Sequence, residues 1–348
     1  MRPLRALRWY APYDVRVEDV PEPRLVKDTD ALVRPTLTTI CGSDLHIYRG
    51  HLNIVPGNIL GHEFVGVVEE VGAAVRSLSR GDRVLPSCWV ADGTCWYCRH
   101  GYYTQCVNVN IFGFGPVYGE SLEGALSELV RVPYADTVLS KLPDDVTDDK
   151  AVLVSDTLPA GFAAVQEGGV KAGDMVAVVG AGAVGLLAGL CAKLLGAGEV
   201  IVVDVLPERL EMARSLGFTP IDASRADAAE QVRSLTDGRG ADVVVEAVGG
   251  EQPLLTAIDL ARKKGTISVA GFHIHEYTLP AGQLWLTERR LIFCIGDPIK
   301  YRRELMEHIR AGRLDPSRMI THRLRLEEAP KAFEMADRKQ GIRVALTP

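Results

Sequence analysis

The chain has 348 residues, 47% of them hydrophobic, which is enough for about two packed domains. Its 39 lysines and arginines stand against 45 aspartates and glutamates, a formal net charge of -6, and no basic run or basic helical face attracts phosphate backbones or anionic lipid; no nucleic acid and no membrane is expected as a partner. The seven cysteines are odd in number and four (Cys88, Cys95, Cys98, Cys106) crowd into one segment, which fits reduced thiols serving as metal ligands better than a secreted disulfide framework.

Residues 1–10 lack the apolar stretch of a leader and charges interrupt every candidate membrane span, so the cytoplasm is the expected compartment. Up to about residue 150, short β-branched runs (31–34, 64–68, 81–84) are broken by Gly and Pro, the texture of a β-rich, barrel-like domain with functional loops. After Pro159 strands alternate with helices: strands at 175–179, 200–203, 243–246 and 266–270, helices at 183–195, 207–216 and 254–261. Such alternation implies α/β architecture with a parallel, doubly wound sheet. A last strand is expected at 291–295 and an amphipathic helix at 301–309. The polar tail beyond, anchored by Leu326 and Phe333, is too short to fold alone and is expected to pack back onto the first domain. The expected domains are therefore 1–155 completed by 297–348, with 156–296 inserted between them.

The run Ala177-Val178-Val179 leads straight into Gly180-Ala181-Gly182-Ala183-Val184-Gly185, which opens a helix. In that context Gly180 makes a tight turn, Gly182 lets backbone approach a pyrophosphate, and Gly185 permits close helix–sheet packing, with Val184 beside them at the helix start. Asp204 ends the next strand at the spacing expected of a residue that bonds the adenosine ribose and repels a 2′-phosphate, so the expected cofactor is NAD ahead of NADP. Arg209, a turn further on, reads either as a group near the ribose that tolerates phosphate or as a solvated helix residue.

An isolated cysteine is ordinarily a small buried hydrophobe, and an isolated histidine is seldom a ligand. Cys41-Gly42-Ser43-Asp44-Leu45-His46 together with Gly61-His62-Glu63 reads differently: a soft thiolate and an imidazole suited to Zn²⁺, with polar groups beside them. Asp44 is expected to accept the free N–H of His62 and fix its tautomer.

These motifs, with Phe64-Val65-Gly66, Gly81-Asp82-Arg83-Val84, the cysteine-rich segment and Gly341-Ile342-Arg343, resemble the zinc-dependent medium-chain alcohol dehydrogenase family, in its formaldehyde dehydrogenase-like and bacterial alcohol dehydrogenase branch, over nearly the whole chain. The resemblance implies a GroES-like β-barrel catalytic domain and a Rossmann domain. It implies Asp156, in Ser155-Asp156-Thr157, as third ligand of a catalytic zinc, leaving a fourth position open. It implies a proton relay through Ser43 and His46, and a Glu63 that orients the site through Arg343, itself expected near the cofactor. It also implies a structural zinc on Asp92, Cys95, Cys98 and Cys106, where Asp92 replaces the family's cysteine; Cys88 is the rival first ligand, and a lobe without metal the third alternative. By family position Ser43, Cys88, Trp89 and 111–114 line the substrate pocket.

The function expected is hydride transfer between an alcohol, aldehyde or ketone and NAD, by a homo-oligomer (dimer or tetramer). The alternatives are a relative acting on a polyol, amino alcohol or formaldehyde, and, from another class, a zinc- and nucleotide-binding protein without turnover. His273 and His275 read as surface or interface residues, Trp285 as lying near a subunit boundary, and Cys191 and Cys294 as core.

Overall fold

The computed structural model describes residues 3–52 and 54–348; Met1 and Arg2, the start of the stretch read above for a leader, lie outside it, as does Asn53. Two compact units divide the chain, one formed by 1–156 with 297–348, the other by 157–296. Among the described residues no helix is long and apolar enough to cross a membrane.

The first unit contains strands β1 (Leu4–Ala11), β2 (Asp14–Val20), β3 (Ala31–Thr39), β4 (Asn58–Ile59), β5 (Glu63–Val71), β6 (Arg83–Pro86), β7 (Trp89–Val90), β8 (Asn110–Ile111), β9 (Val130–Val132) and β10 (Leu139–Lys141). The second contributes β11 (Met175–Val179), β12 (Glu199–Asp204), β13 (Thr219–Asp222), β14 (Ala241–Glu246), β15 (Ala261–Val269) and β16 (Arg290–Phe293), before β17 (Ile320–Arg325) and β18 (Arg343–Thr347) return to the first.

In the first unit the largest sheet runs β10-β6-β5-β3-β18-β17, with β9 also on β3. Its register matters more than its extent. Thr39, at the end of β3, lies opposite Glu63 at the start of β5 and opposite Ala345 of β18. The residues that follow β3, precede β5 and open β18 are therefore brought together at one end of three neighbouring strands. Beneath them lie two apolar clusters, one around Leu7, Ile47, Leu60 and Phe333, the other around Phe64, Phe112 and Val84. The tail holds more structure than expected: β17, the helix Ala329–Asp337 and β18.

The second unit is a six-stranded parallel sheet, β13-β12-β11-β14-β15-β16. Val176, Val178, Val202, Val244 and Val245 are fully buried within it, as strands covered on both faces must be. Strand order reverses between β11 and β14, the switch point at which doubly wound sheets open a ligand crevice. Gly180 sits there at φ +99°, a conformation that glycine adopts readily, and its N–H reaches Val203 O at 2.8 Å. At Gly185 the helix Ala183–Leu194 comes so close that an added Cβ would lie 1.9 Å from Gly180 O. Gly185→Ala should therefore force strand and helix apart and lower stability by about 1–3 kcal/mol. A wild-type thermal midpoint and unimpaired dinucleotide binding in this variant would contradict the packing argument.

Candidate metal centres and cofactor loop

The helix Gly42–Tyr48 starts directly after Cys41, and Asp44 binds that start together: its Oδ2 accepts the Cys41 N–H at 2.8 Å. The other oxygen, Oδ1, lies 3.1 Å from His62 Nδ1, as the sequence led one to expect. One buried carboxylate thus sets both the loop carrying Cys41 and the orientation of the imidazole. The remaining nitrogen, His62 Nε2, is 3.4 Å from Asp156 Oδ2, and Cys41 Sγ is 3.5 Å from the same oxygen.

Cys41, His62 and Asp156 offer three donor atoms all within 4.8 Å of one another. A tetrahedral zinc with ligand distances of about 2.0 Å for N and O and 2.3 Å for S separates its donors by roughly 3.3–3.8 Å, so these spacings fit the ion. Cys41 and His62 are buried, whereas the Asp156 side chain keeps 20% of its surface. Without metal, burial disfavours a charged His62, but the Asp44 charge and the hydrogen bonds to Asp156 and Asp44 raise its pKa well above the ordinary value. Burial likewise pushes Asp156 upward, and the His62 hydrogen bond and charge bring it down to about 2. A proton on His62 thus supplies the positive charge that a bound cation would replace.

Glu63 is fully buried, accepts a hydrogen bond from Thr39 Oγ1 and pairs with Arg343 Nη1 at 3.3 Å. Arg343 Nη1 also donates to Ile40 O at 2.7 Å, next to Cys41. Burial alone would lower the Arg343 pKa, but Glu63 and Cys41 raise it. Arg343, expected at the cofactor, is only 4% exposed and binds Glu63 and the Cys41 loop. Ser43 Oγ is 3.3 Å from His62 Nε2. His46, one turn along the same helix, shares a 3.2 Å Nδ1–Nδ1 contact with exposed His51, a neighbour that the sequence did not suggest.

The aromatic expectations divide. Phe112 is fully buried and packs edge-on against Phe64 in the core. Phe114 instead meets the His62 ring edge-on at 5.4 Å, and Tyr118, unforeseen from the sequence, touches both Phe114 and Trp89 at 5.8 Å. Cys88 is not drawn into the cysteine lobe. Its thiol donates to Asp156 Oδ1 at 3.2 Å, and burial and the Asp156 charge push its pKa up.

The lobe gathers Asp92, Cys95, Cys98 and Cys106 within the same 4.8 Å limit. Cys95 Sγ stands 3.5 Å from Cys98 Sγ and 3.9 Å from Cys106 Sγ, far beyond a disulfide bond and near the edge of a tetrahedral sulfur site. Backbone N–H groups of Asp92 and Asn108 point at Cys106 Sγ from 3.3 and 3.4 Å. Burial pushes the Asp92 carboxylate up, but the Thr94 and Cys95 N–H groups hold it below the usual range. The lobe's own core is little more than Ala91, Cys98 and Cys106 with partly buried neighbours.

In the second unit Asp204 Oδ2 accepts the Ala181 N–H at 2.7 Å, while Oδ1 accepts those of Val205 at 2.7 Å and Leu206 at 2.9 Å. The carboxylate ties the glycine loop to the end of β12. Gly182 caps the helix beginning at Ala183. Arg209 lies over it, its Nη1 3.8 Å from where a Gly182 Cβ would stand, with a buried Nε lacking a partner. Across the switch point, Glu246 at the end of β14 accepts the Val248 and Gly249 N–H groups and lies 2.9 Å from His273 Nε2. His273 is therefore a part-buried partner of Glu246 rather than a surface residue, while His275 is exposed as expected.

Residues 27–144 match the model of the alcohol dehydrogenase GroES-like domain, and 183–310 that of the zinc-binding dehydrogenase domain. Zinc-type alcohol dehydrogenase B of Aspergillus flavus is 38% identical over 278 residues, covering 78% of this chain, and the chain spans 64% of that protein's length. The alcohol dehydrogenase of Thermus sp. ATN1 is 39% identical with a TM-score of 0.95, over 99% of both chains. A zinc-binding dehydrogenase of Sinorhizobium meliloti 1021, solved bound to NADP, is 27% identical with a TM-score of 0.87, over 100% of both chains. The chain belongs to the zinc-dependent medium-chain alcohol dehydrogenase family. It is a zinc-dependent, alcohol dehydrogenase-like oxidoreductase of GroES-like plus Rossmann architecture.

Metal removal should separate the two centres. Asp92→Ala is expected to release or loosen one zinc per chain and to lower the thermal midpoint, because metal binding supplies ordering free energy that so small a core lacks. Unchanged zinc content together with an unchanged thermal midpoint in Asp92→Ala would show that Asp92 is no ligand.

Proposed function

We propose that the protein oxidises small alcohols, or reduces the matching aldehydes and ketones, with NAD as the preferred hydride carrier. The reading is supported above all by the three-donor cluster of Cys41, His62 and Asp156, whose partly exposed carboxylate leaves one side for a substrate oxygen. A zinc ion held there would act as a Lewis acid, polarising that oxygen so that hydride can pass between the substrate carbon and a nicotinamide. Ser43 Oγ, beside His62, would take the hydroxyl proton, a cofactor ribose would pass it on, and His46 with its neighbour His51 would release it to water. A protein that only bound zinc and nucleotide would have no use for such a proton exit. Phe114, Tyr118 and Trp89 form an apolar wall near His62 and favour a hydrophobic substrate over a polyol.

Gly180, Gly182, Val184 and Gly185 would cradle the cofactor pyrophosphate at the helix N-terminus, with Asp204 at the ribose. Asp204 already accepts three backbone N–H groups yet keeps capacity for a ribose hydroxyl. Arg209 would soften its repulsion of a 2′-phosphate, so NADP is the weaker substitute rather than excluded. Exposed Trp285, Leu286 and Phe293 on and before the edge strand β16 support a homo-oligomer.

Reduction of NAD and of NADP, followed over a panel of aliphatic, aromatic and polyhydric alcohols, tests the reading. Apolar primary or secondary alcohols with NAD should give the highest kcat/KM, and Asp156→Ala should be inactive while still binding cofactor. No turnover of any alcohol, or full activity in Asp156→Ala, would overturn it. For the cofactor, Asp204→Ser should shift the kcat/KM ratio toward NADP; a wild type already faster with NADP would mean that Arg209 dominates.

A further inference from the structure

Cys88 is a buried thiol that the chemistry proposed above leaves without a task. Its backbone and side chain both hold the segment bearing Asp156: Cys88 N–H donates to Ser155 O at 2.9 Å, and Cys88 Sγ donates to Asp156 Oδ1 at 3.2 Å. The two carboxylate oxygens of Asp156 are thereby divided. Oδ2 is the one that faces Cys41 Sγ and His62 Nε2, at 3.5 and 3.4 Å, while Oδ1 is turned to Cys88. Cys88 itself falls outside the three-donor cluster.

We propose that Cys88 is a positioning residue that keeps Asp156 a one-oxygen ligand. A carboxylate, unlike the thiolate of a cysteine ligand, has a second oxygen able to swing onto the same ion. If Oδ1 did so it would fill the coordination position that substrate needs, and a site with no vacancy is a structural site rather than a catalytic one. The thiol of Cys88 gives that oxygen another partner. Outer hydrogen bonds of this kind orient metal ligands.

The inference rests on the zinc reading of Cys41, His62 and Asp156, and the experiment keeps the two apart. Zinc affinity is measured by chelator competition in wild type, Asp156→Ala, Cys88→Ala, Cys88→Ser and Cys88→Val. Asp156→Ala identifies which zinc belongs to this site; no change in zinc binding there would refute the zinc reading itself. Given that loss, Cys88→Ala and Cys88→Val, which lack a donor, should each hold the same zinc more tightly, because the freed Oδ1 joins the ion as a further ligand. Cys88→Ser, which keeps a donor, should stay near wild type. Weakened zinc binding in Ala and Val, or an equal change in Ser and Ala, would mean that Cys88 serves packing only, and unchanged affinity in all three would mean that the contact is idle; each of these overturns the proposal. With Co²⁺ in place of zinc, the tetrahedral visible bands of wild type and Cys88→Ser should weaken in Cys88→Ala as Oδ1 joins the ion, since geometry governs these spectra. Identical cobalt spectra in Ala and Ser would also count against it.

Discussion

Anionic groups crowded into a low-dielectric interior must be matched by cations at fixed positions, and this constraint governs the first unit. Cys41, Asp44, Glu63 and Asp156 converge on a region where Asp44 and Glu63 are fully buried. Charges removed from water cost several kcal/mol each unless paired and hydrogen-bonded. Arg343 answers Glu63, and the Cys41 N–H and His62 answer Asp44. What remains is the pair Cys41 and Asp156, which a bound divalent ion would take as thiolate and carboxylate. The donor spacing and the chemistry of the donor set, a thiol, an imidazole and a carboxylate, both fit a metal.

The strands make that arrangement rigid. Cys41 follows β3, His62 precedes β5, and Arg343 opens β18, and the register Glu63–Thr39–Ala345 aligns all three at one end of these neighbouring strands. A slip of one residue in either ladder would turn Glu63 or Arg343 to the other face. Asp156 alone comes from outside the sheet, from the turn after Val152–Ser155, and Cys88 fastens that turn by backbone and side chain.

Local motifs were legible because their chemistry is contained in a short spacing. Cys41 to His46, Gly61 to Glu63, the glycine motif and the cysteine lobe each need only a loop or one turn to bring their residues together. Asp156 was reached through family resemblance, since nothing in its immediate neighbours marks a ligand. Cys88 with Asp156 and Glu246 with His273 depend on tertiary contacts that no spacing reveals, whereas His46 with His51 and Phe114 with Tyr118 are local pairs across short turns whose course the residue types do not mark. Among the elements, β17 escaped notice because its residues Ile320-Thr321-His322-Arg323-Leu324-Arg325 are partly or wholly exposed, so its apolar alternation is thin. β13 carries Pro220, which an edge strand tolerates and which reads in sequence as a break.

The insertion of 157–296 between the two parts of the first unit bears on synthesis as well as on architecture. Ile40 and the arginine that binds its carbonyl are 303 residues apart, so the ribosome releases Glu63 and the Cys41 loop long before their cationic partner exists. The nascent first unit must wait, with its anions solvated and β3 lacking β18, while the parallel sheet of the second is already complete in sequence. Domains generally fold as units in the order they emerge, and here the order is inverted for the unit that holds the metal ligands. A metal at the cluster of Cys41, His62 and Asp156 would thereby be captured late in the life of the nascent chain, whereas the cysteine lobe, whose four candidate ligands lie within fifteen consecutive residues, could load early.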